Sequence, residues 1–168
     1  MRETDHDLAI LRALIKRSNA GAGTFLRSSF EIPEKSLSAE QLVRKLDSIS
    51  TVVLGTVTRD GRPRVAPVVA IFYRGSFCIP TVRTSLRARH IANTPDVSLS
   101  LYEGTDFAVI VHGTGHLIRP DDDAFDDLIQ IQIDQHAGDV RTWGEPVFIG
   151  VRAELLYSFA RYPETFPE

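Results

Sequence analysis

The sequence predicts a mainly β fold, six antiparallel strands closing into a barrel with helices at its periphery. Three observations predict it. Short apolar runs recur from residue 51 onward, each ended by a turn signal such as Asp60-Gly61, Arg74-Gly75 or Glu103-Gly104. Strands joined by such tight turns pair antiparallel, because a parallel crossover needs about a dozen residues or more. Several short strands also leave exposed edges unless the sheet closes wholly or partly on itself. The 168 residues show no internal repeat, low-complexity tract or second-domain boundary, and that length suffices for one core.

The elements follow in order. Leu8, Ile10, Leu11, Leu14 and Ile15 recur at helical spacing and predict an amphipathic helix from Asp5 to Arg17, ended by Ser18 to Gly23. Thr24 to Lys35 reads as a polar connection closed by Pro33. Ser38 with Gln41 three residues on is a capping box, and Leu42, Val43, Leu46 and Ile49 mark the buried face of the helix it starts. Strands are expected over Thr51 to Thr58, Arg64 to Tyr73 and Ser76 to Pro80. A short helix over Leu86 to Ala92 is broken by Asn93-Thr94-Pro95-Asp96. Val97, Leu99 and Leu101 alternate with serines, the period of a half-buried strand, and a longer strand spans Phe107 to Ile118. Pro120 and the acids Asp121 to Asp123 open a helix whose face, Phe125, Leu128 and Ile129, continues toward Gly138. The last strand covers Val147 to Tyr157, and Arg161 to Glu168 is an irregular tail.

Composition narrows the function. A hydrophobic fraction of 43% and a charged fraction of 24% are those of an ordinary globular domain. A net charge of -3 argues against nucleic acid or a membrane surface as a general partner. No apolar run approaches the ~20 residues of a membrane span. The single Cys78 excludes an internal disulfide framework and fits a reducing cytoplasm, the expected location.

The densest chemistry lies at Thr81 to Arg89, where two threonines, Ser85 and three arginines gather as a strand ends and a helix begins. Backbone N–H groups at a helix start, short hydroxyls and guanidinium forks are what a phosphate needs. Arg87 and Arg89, two apart on a helix, point to different sides and do not grip one phosphate together. Pro67 cannot donate to a ladder, so it marks an edge, bulge or break that leaves neighbouring backbone groups free for a ligand. His112 and His116 share one side of a strand by even spacing, but two histidines without a third ligand do not make a metal site, and none is expected. Cys78, between Phe77 and Ile79, reads as a small buried hydrophobe, and Trp143 and Tyr157 as packing residues.

In this order the motifs resemble a known family. They run V-x-L-x-T-V from Val52, D-G-x-P from Asp60, V-x-P-V from Val65, T-x-x-x-S-x-R-A-R from Thr81, the N-T-P-D turn and H-G-T-G-H-L from His112. The pattern is similar to that of the pyridoxamine 5'-phosphate oxidase-like, FMN-binding split barrels, over Leu37 to Phe159. The resemblance implies a six-stranded antiparallel split β-barrel and a homodimer with cofactor sites in the dimer cleft. It implies residues 1–36 as an N-terminal helical extension, 37–160 as the split-barrel flavin-binding domain and 161–168 as a C-terminal tail. The cofactor it implies is FMN, or in one branch an 8-hydroxy-5-deazaflavin coenzyme. By position, Thr81, Ser85 and Arg87 match the phosphate-binding turn, while Arg64, Val65, Ala66, Pro67 and Val68 match the strand whose backbone lies along the isoalloxazine edge. Leu86 stands where the oxidase itself has a further Arg, and its C-terminal Trp and Arg pattern is not recognisable after Val147, which argues against pyridoxamine phosphate as substrate. The helix after Asp121 resembles the deazaflavin-using branch.

The function implied is a flavin-dependent oxidoreductase transferring hydride to or from a small-molecule substrate. The alternatives are a deazaflavin-dependent reductase, or a non-catalytic flavin- or haem-binding module. No nucleophile–base pair or paired carboxylates stand out as catalytic, which fits a cofactor that carries the chemistry itself.

Overall fold

Alternation along the strands decides which residues enter the barrel. A computed structural model describes residues 2–167. In β1 (Ser50–Val57) Val52, Leu54 and Thr56 are buried, while the residues between them reach the outside. The other strands are β2 (Pro63–Tyr73), β3 (Ser76–Val82), β4 (Asp96–Glu103), β5 (Phe107–Ile118) and β6 (Pro146–Ala160). They close in the order β1-β2-β3-β6-β5-β4, every pairing antiparallel.

The closure is uneven, and the unevenness positions the site. Residues 63–70 of β2 pair with β1, whereas only Ile71 to Tyr73 pair with β3. The first half of β2 is therefore an edge on the side that would meet β3. Pro67, opposite Val53, sits in that half, where a residue without an N–H costs the sheet least.

Helices close what the strands leave open. In α1 (Asp5–Gly21) Leu8, Leu11, Leu14 and Ile15 are buried in the barrel's own hydrophobic cluster, and the helix packs on β6. Burying such side chains is worth roughly 1.5–3 kcal/mol each. The Ser18 hydroxyl accepts the Leu156 N–H at 2.9 Å, with both groups buried. That bond lies beside an irregularity in the β5–β6 ladder, where pairing passes from His112–Leu155 to Gly113–Ala153 and skips Glu154. β3 pairs with β6 only as far as Val151, so the N-terminal helix supplies an acceptor to a β6 edge that no strand covers.

After α1 the structure differs from the expected polar connection. Thr24–Ser29 form a short helix, α2, none of whose residues is buried, so no apolar periodicity marks it. The capping box of α3 (Ala39–Lys45) is present in both directions: the Gln41 N–H reaches Ser38 Oγ at 3.2 Å, and the Ser38 N–H reaches Gln41 Oε1 at 3.0 Å. That helix ends before Ile49, which packs instead against a second hydrophobic cluster. The second cluster lies between the barrel and α5 (Ala124–Asp134), and includes Ile71, Cys78, Phe125, Leu128 and Phe148. The acids Asp121 to Asp123 precede this helix rather than occupying its first turn, and Asp122 accepts the Arg119 N–H at 2.6 Å in the turn before it. Strand β6 is longer than expected at both ends, and the tail contains a short 3-10 turn at Pro163–Thr165 that brings Phe166 onto Phe107, with ring centroids 6.0 Å apart. Among the described residues no helix is long and apolar enough to cross a membrane.

Candidate functional site

The edge of β2 faces α4 (Leu86–Asn93) across a cleft of about 410 Å³. Three elements line it. Leu54, Thr56 and Thr58 come from β1 and the residue beyond it, and Arg64, Val65, Ala66 and Val68 from β2. Leu86, Arg87 and His90 come from α4. The helix orients itself by its apolar residues: Ala88 and Ile91 are buried, and Ile91 lies so close to Gly115 of β5 that a Cβ there would meet its Cδ1 at 2.5 Å. Docking that side inward turns Arg87 and His90, three apart, toward the cleft.

The start of α4 is built from Thr81 and Ser85. Ser85 Oγ caps the helix by accepting the Ala88 N–H at 3.2 Å, and it also accepts the Thr81 hydroxyl at 3.0 Å. A serine hydroxyl has two acceptor positions and one proton. With both acceptors used, Ser85 still has its own O–H to donate. Thr81 is 4% exposed and holds Ser85 in place from behind.

The cleft's charge is one-sided. It contains Arg64, Arg87 and no carboxylate. Among the described residues neither arginine makes an ion pair; Arg64 donates only to the carbonyl of Pro63, at 3.0 Å. The Asp60 carboxylate, at the nearby hairpin turn, accepts from the Thr58 hydroxyl at 2.5 Å and pairs with Arg62 at 2.8 Å. Its pKa lies below the ordinary Asp value, chiefly through the Thr58 bond. Arg83 is turned away to Glu145, at 2.5 Å, and the exposed Arg89 does not line the cleft. Two unpaired guanidiniums above a floor of Leu54, Ala66 and Val68 suit a ligand with an apolar body and an anionic end.

The expected site residues thus divide. Arg64, Val65, Ala66, Val68 and Arg87 share the cleft. Thr81 and Ser85 lie at the N-terminal end of its α4 wall and Pro67 is exposed on β2, and none of the three lines the cleft. Leu54, Thr56, Thr58, Leu86 and His90 also line the cleft. Leu54 and Thr56 fall in the V-x-L-x-T-V motif, but apart from the i+3 spacing of His90 from Arg87 nothing in the sequence marks any of the five as a site residue. His112 is exposed and bonded through Nδ1 to Ser98 Oγ at 2.7 Å, and the His116 ring lies over Gly150. Among the described residues no three His, Cys, Asp or Glu side chains gather as for a metal ion. Burial pushes the Cys78 thiol up to about 12. Tyr157 is buried, and Trp143, 51% exposed, is not part of the cleft.

A family model described as pyridoxamine 5'-phosphate oxidase matches residues 38–156. No curated protein matches the chain. Among solved structures, a conserved hypothetical protein from Mycobacterium tuberculosis is similar over 81% of this chain and 92% of its own, with a TM-score of 0.65 and 18% identity. An F420 reductase is similar over 68% of this chain and 94% of its own, with a TM-score of 0.54 and 19% identity. A FAD-binding protein from Mesorhizobium loti is similar over 74% and 93%, with a TM-score of 0.57 and 17% identity. At these identities the likeness is one of fold: the six-stranded barrel with its helices.

Proposed function

The chain belongs to the pyridoxamine 5'-phosphate oxidase family, which its residues 38–156 match, and from that premise we propose that it is a flavin-dependent oxidoreductase holding FMN in the cleft between β2 and α4. The observation that carries the reading is Arg87, a guanidinium without an ion pair among the described residues, on a helix whose N-cap Ser85 keeps a hydroxyl proton to donate. A phosphate placed there meets Arg87, the Ser85 O–H and the first free N–H groups of α4. The apolar floor of Leu54, Ala66 and Val68 takes the ring, and the one-sided edge of β2 offers it backbone donors and acceptors. When bound, the flavin supplies the hydride chemistry, and the protein supplies position and electrostatics. In this reading residues 37–160 are the flavin-binding unit, 1–36 an extension packed on it and 161–168 a tail, in a cytoplasmic enzyme acting on a small molecule.

The active form in this reading is a homodimer. Val65 (68% exposed), Val69 and Tyr102 leave exposed apolar surface on β2 and β4, next to the cleft. A second copy over this face would complete the site's outer wall.

The test is an FMN titration of wild type and Arg87→Ala. The expected result is a yellow complex whose affinity falls by roughly tenfold or more in the variant, about 1.4 kcal/mol or above. Equal affinity in the two proteins would remove Arg87 from the phosphate site. The second reading is a deazaflavin coenzyme in the same cleft, favoured by the fold shared with the F420 reductase. The cofactor that raises the melting temperature more decides between them.

A further inference from the structure

His90 enters the cleft with its orientation already fixed. Its Nδ1 lies 2.9 Å from the hydroxyl of Thr56, which is 5% exposed and lines the cleft floor. Its Nε2 has no protein partner among the described residues and is not sealed from solvent. One ring nitrogen is thus held by the barrel and the other is left for a ligand.

We propose that His90 is a further binding residue of the cleft, its Nε2–H donating to the anionic group that Arg87 holds, with Thr56 as its positioning residue. The inference rests on reading the cleft as the site of a phosphate-bearing flavin. Three features support it. His90 and Arg87 lie one helical turn apart on the same side of α4, so one anion can lie against both. Arg87 stands beside His90 on α4, and the facing strands bring Arg64 and the hydroxyls of Thr56 and Thr58. The nearby acid, Asp60, takes the Thr58 hydroxyl and does not line the cleft, so the ring meets an anion rather than a competing acid. The hydroxyl of Thr56 can either donate or accept. When it donates to Nδ1, the neutral ring carries its proton on Nε2; when it accepts from Nδ1–H, the imidazolium again carries one there. Pairing with a hydroxyl, unlike pairing with a carboxylate or a carbonyl, allows Nε2 to stay a donor in both states.

The test compares FMN with riboflavin, which lacks the phosphate, in wild type, His90→Phe, His90→Gln, Thr56→Val and Thr56→Ser. His90→Phe keeps the ring's bulk and is expected to weaken FMN by roughly tenfold or more, since hydrogen bonds to charged groups are the strong ones. Riboflavin should change by less than about twofold. His90→Gln restores a donor and should recover part of the loss. Thr56→Val should weaken FMN severalfold and move the His90 ring ¹⁵N signals, and Thr56→Ser should restore both. FMN binding unchanged in His90→Phe, or equal losses for FMN and riboflavin, overturns the proposal while leaving the flavin site standing. If wild type binds no flavin, that earlier reading fails. His90 is then judged on wild type by inorganic phosphate, where a shift of the His90 Nε2 signal supports the contact and no shift overturns it.

Discussion

Gly115→Ala should damage the candidate site from behind. Gly115 lies on β5 under α4, and a Cβ there would fall 2.5 Å from Ile91 Cδ1 and 3.3 Å from its Cγ2. The first contact can be relieved by swinging the end of the isoleucine. The second is relieved only by turning Ile91 about χ1, away from the rotamer a helix favours, or by a shift of the helix of a few tenths of an ångström. Overpacking of this size costs roughly 1–3 kcal/mol, or about 2–4 °C of melting temperature per kcal/mol for a chain of this length. The strain has a known partner, so a double-mutant cycle isolates it. Ile91→Val removes Cδ1 and alone should cost about 0.5–1.5 kcal/mol. Combined with Gly115→Ala it should cost less than the sum, with a coupling of about 1 kcal/mol. Because Arg87 and His90 ride on the same helix, Gly115→Ala should also weaken FMN, and Ile91→Val should restore part of that affinity. Urea unfolding and FMN titration of the four proteins measure both effects. Strict additivity, or a Gly115→Ala protein as stable as wild type, would refute the packing of α4 on β5 as the support of the cleft.

Ser18→Ala leaves the buried Leu156 N–H without its acceptor and should cost about 1–3 kcal/mol in urea unfolding; no loss would mean that Ser18 does not satisfy the open edge of β6. Arg83→Ala removes only an exposed pair with Glu145 and should leave FMN affinity within about twofold, whereas a large loss would place Arg83 at the phosphate. Val65→Lys puts a charge on the uncovered face beside the cleft and should shift a dimer toward monomer in light scattering; a dimer that persists would exclude this face from the interface. Burial holds the Cys78 thiol at about 12, and burial followed by the bond to Asp127 holds the Tyr73 hydroxyl at about 12. Both are raised above their unfolded values, so the stability they contribute is complete below those values and is lost as pH climbs toward about 12. Urea midpoints should fall over that range, and a flat profile would contradict the assignment.

Much of the fold was legible because its elements obey local rules. Alternation in β1 and β4, the glycine turns and the Ser38–Gln41 box each point to one structure. Where reading failed, the cause was tertiary. No apolar period marks α2, since none of its residues is buried. Along β6, the Leu156 N–H finds its acceptor in Ser18, on a helix more than a hundred residues away in sequence. At the site, the basic turn was visible in the residue types, but its division of labour was not. Thr81 and Ser85 shape the helix start, Arg83 goes to Glu145, and Arg87 alone of the three arginines turns to the cleft. Thr56 and His90 were invisible as a pair because a strand and a helix separated by 34 positions meet only once the barrel closes.

The most direct measurement is a crystal structure of the protein with FMN bound. The account predicts the phosphate within hydrogen-bond distance of Arg87 and the Ser85 hydroxyl, His90 Nε2 on the same phosphate, and the ring over Leu54, Ala66 and Val68 along β2. A flavin bound elsewhere, or one in this cleft with its phosphate away from α4, would contradict it.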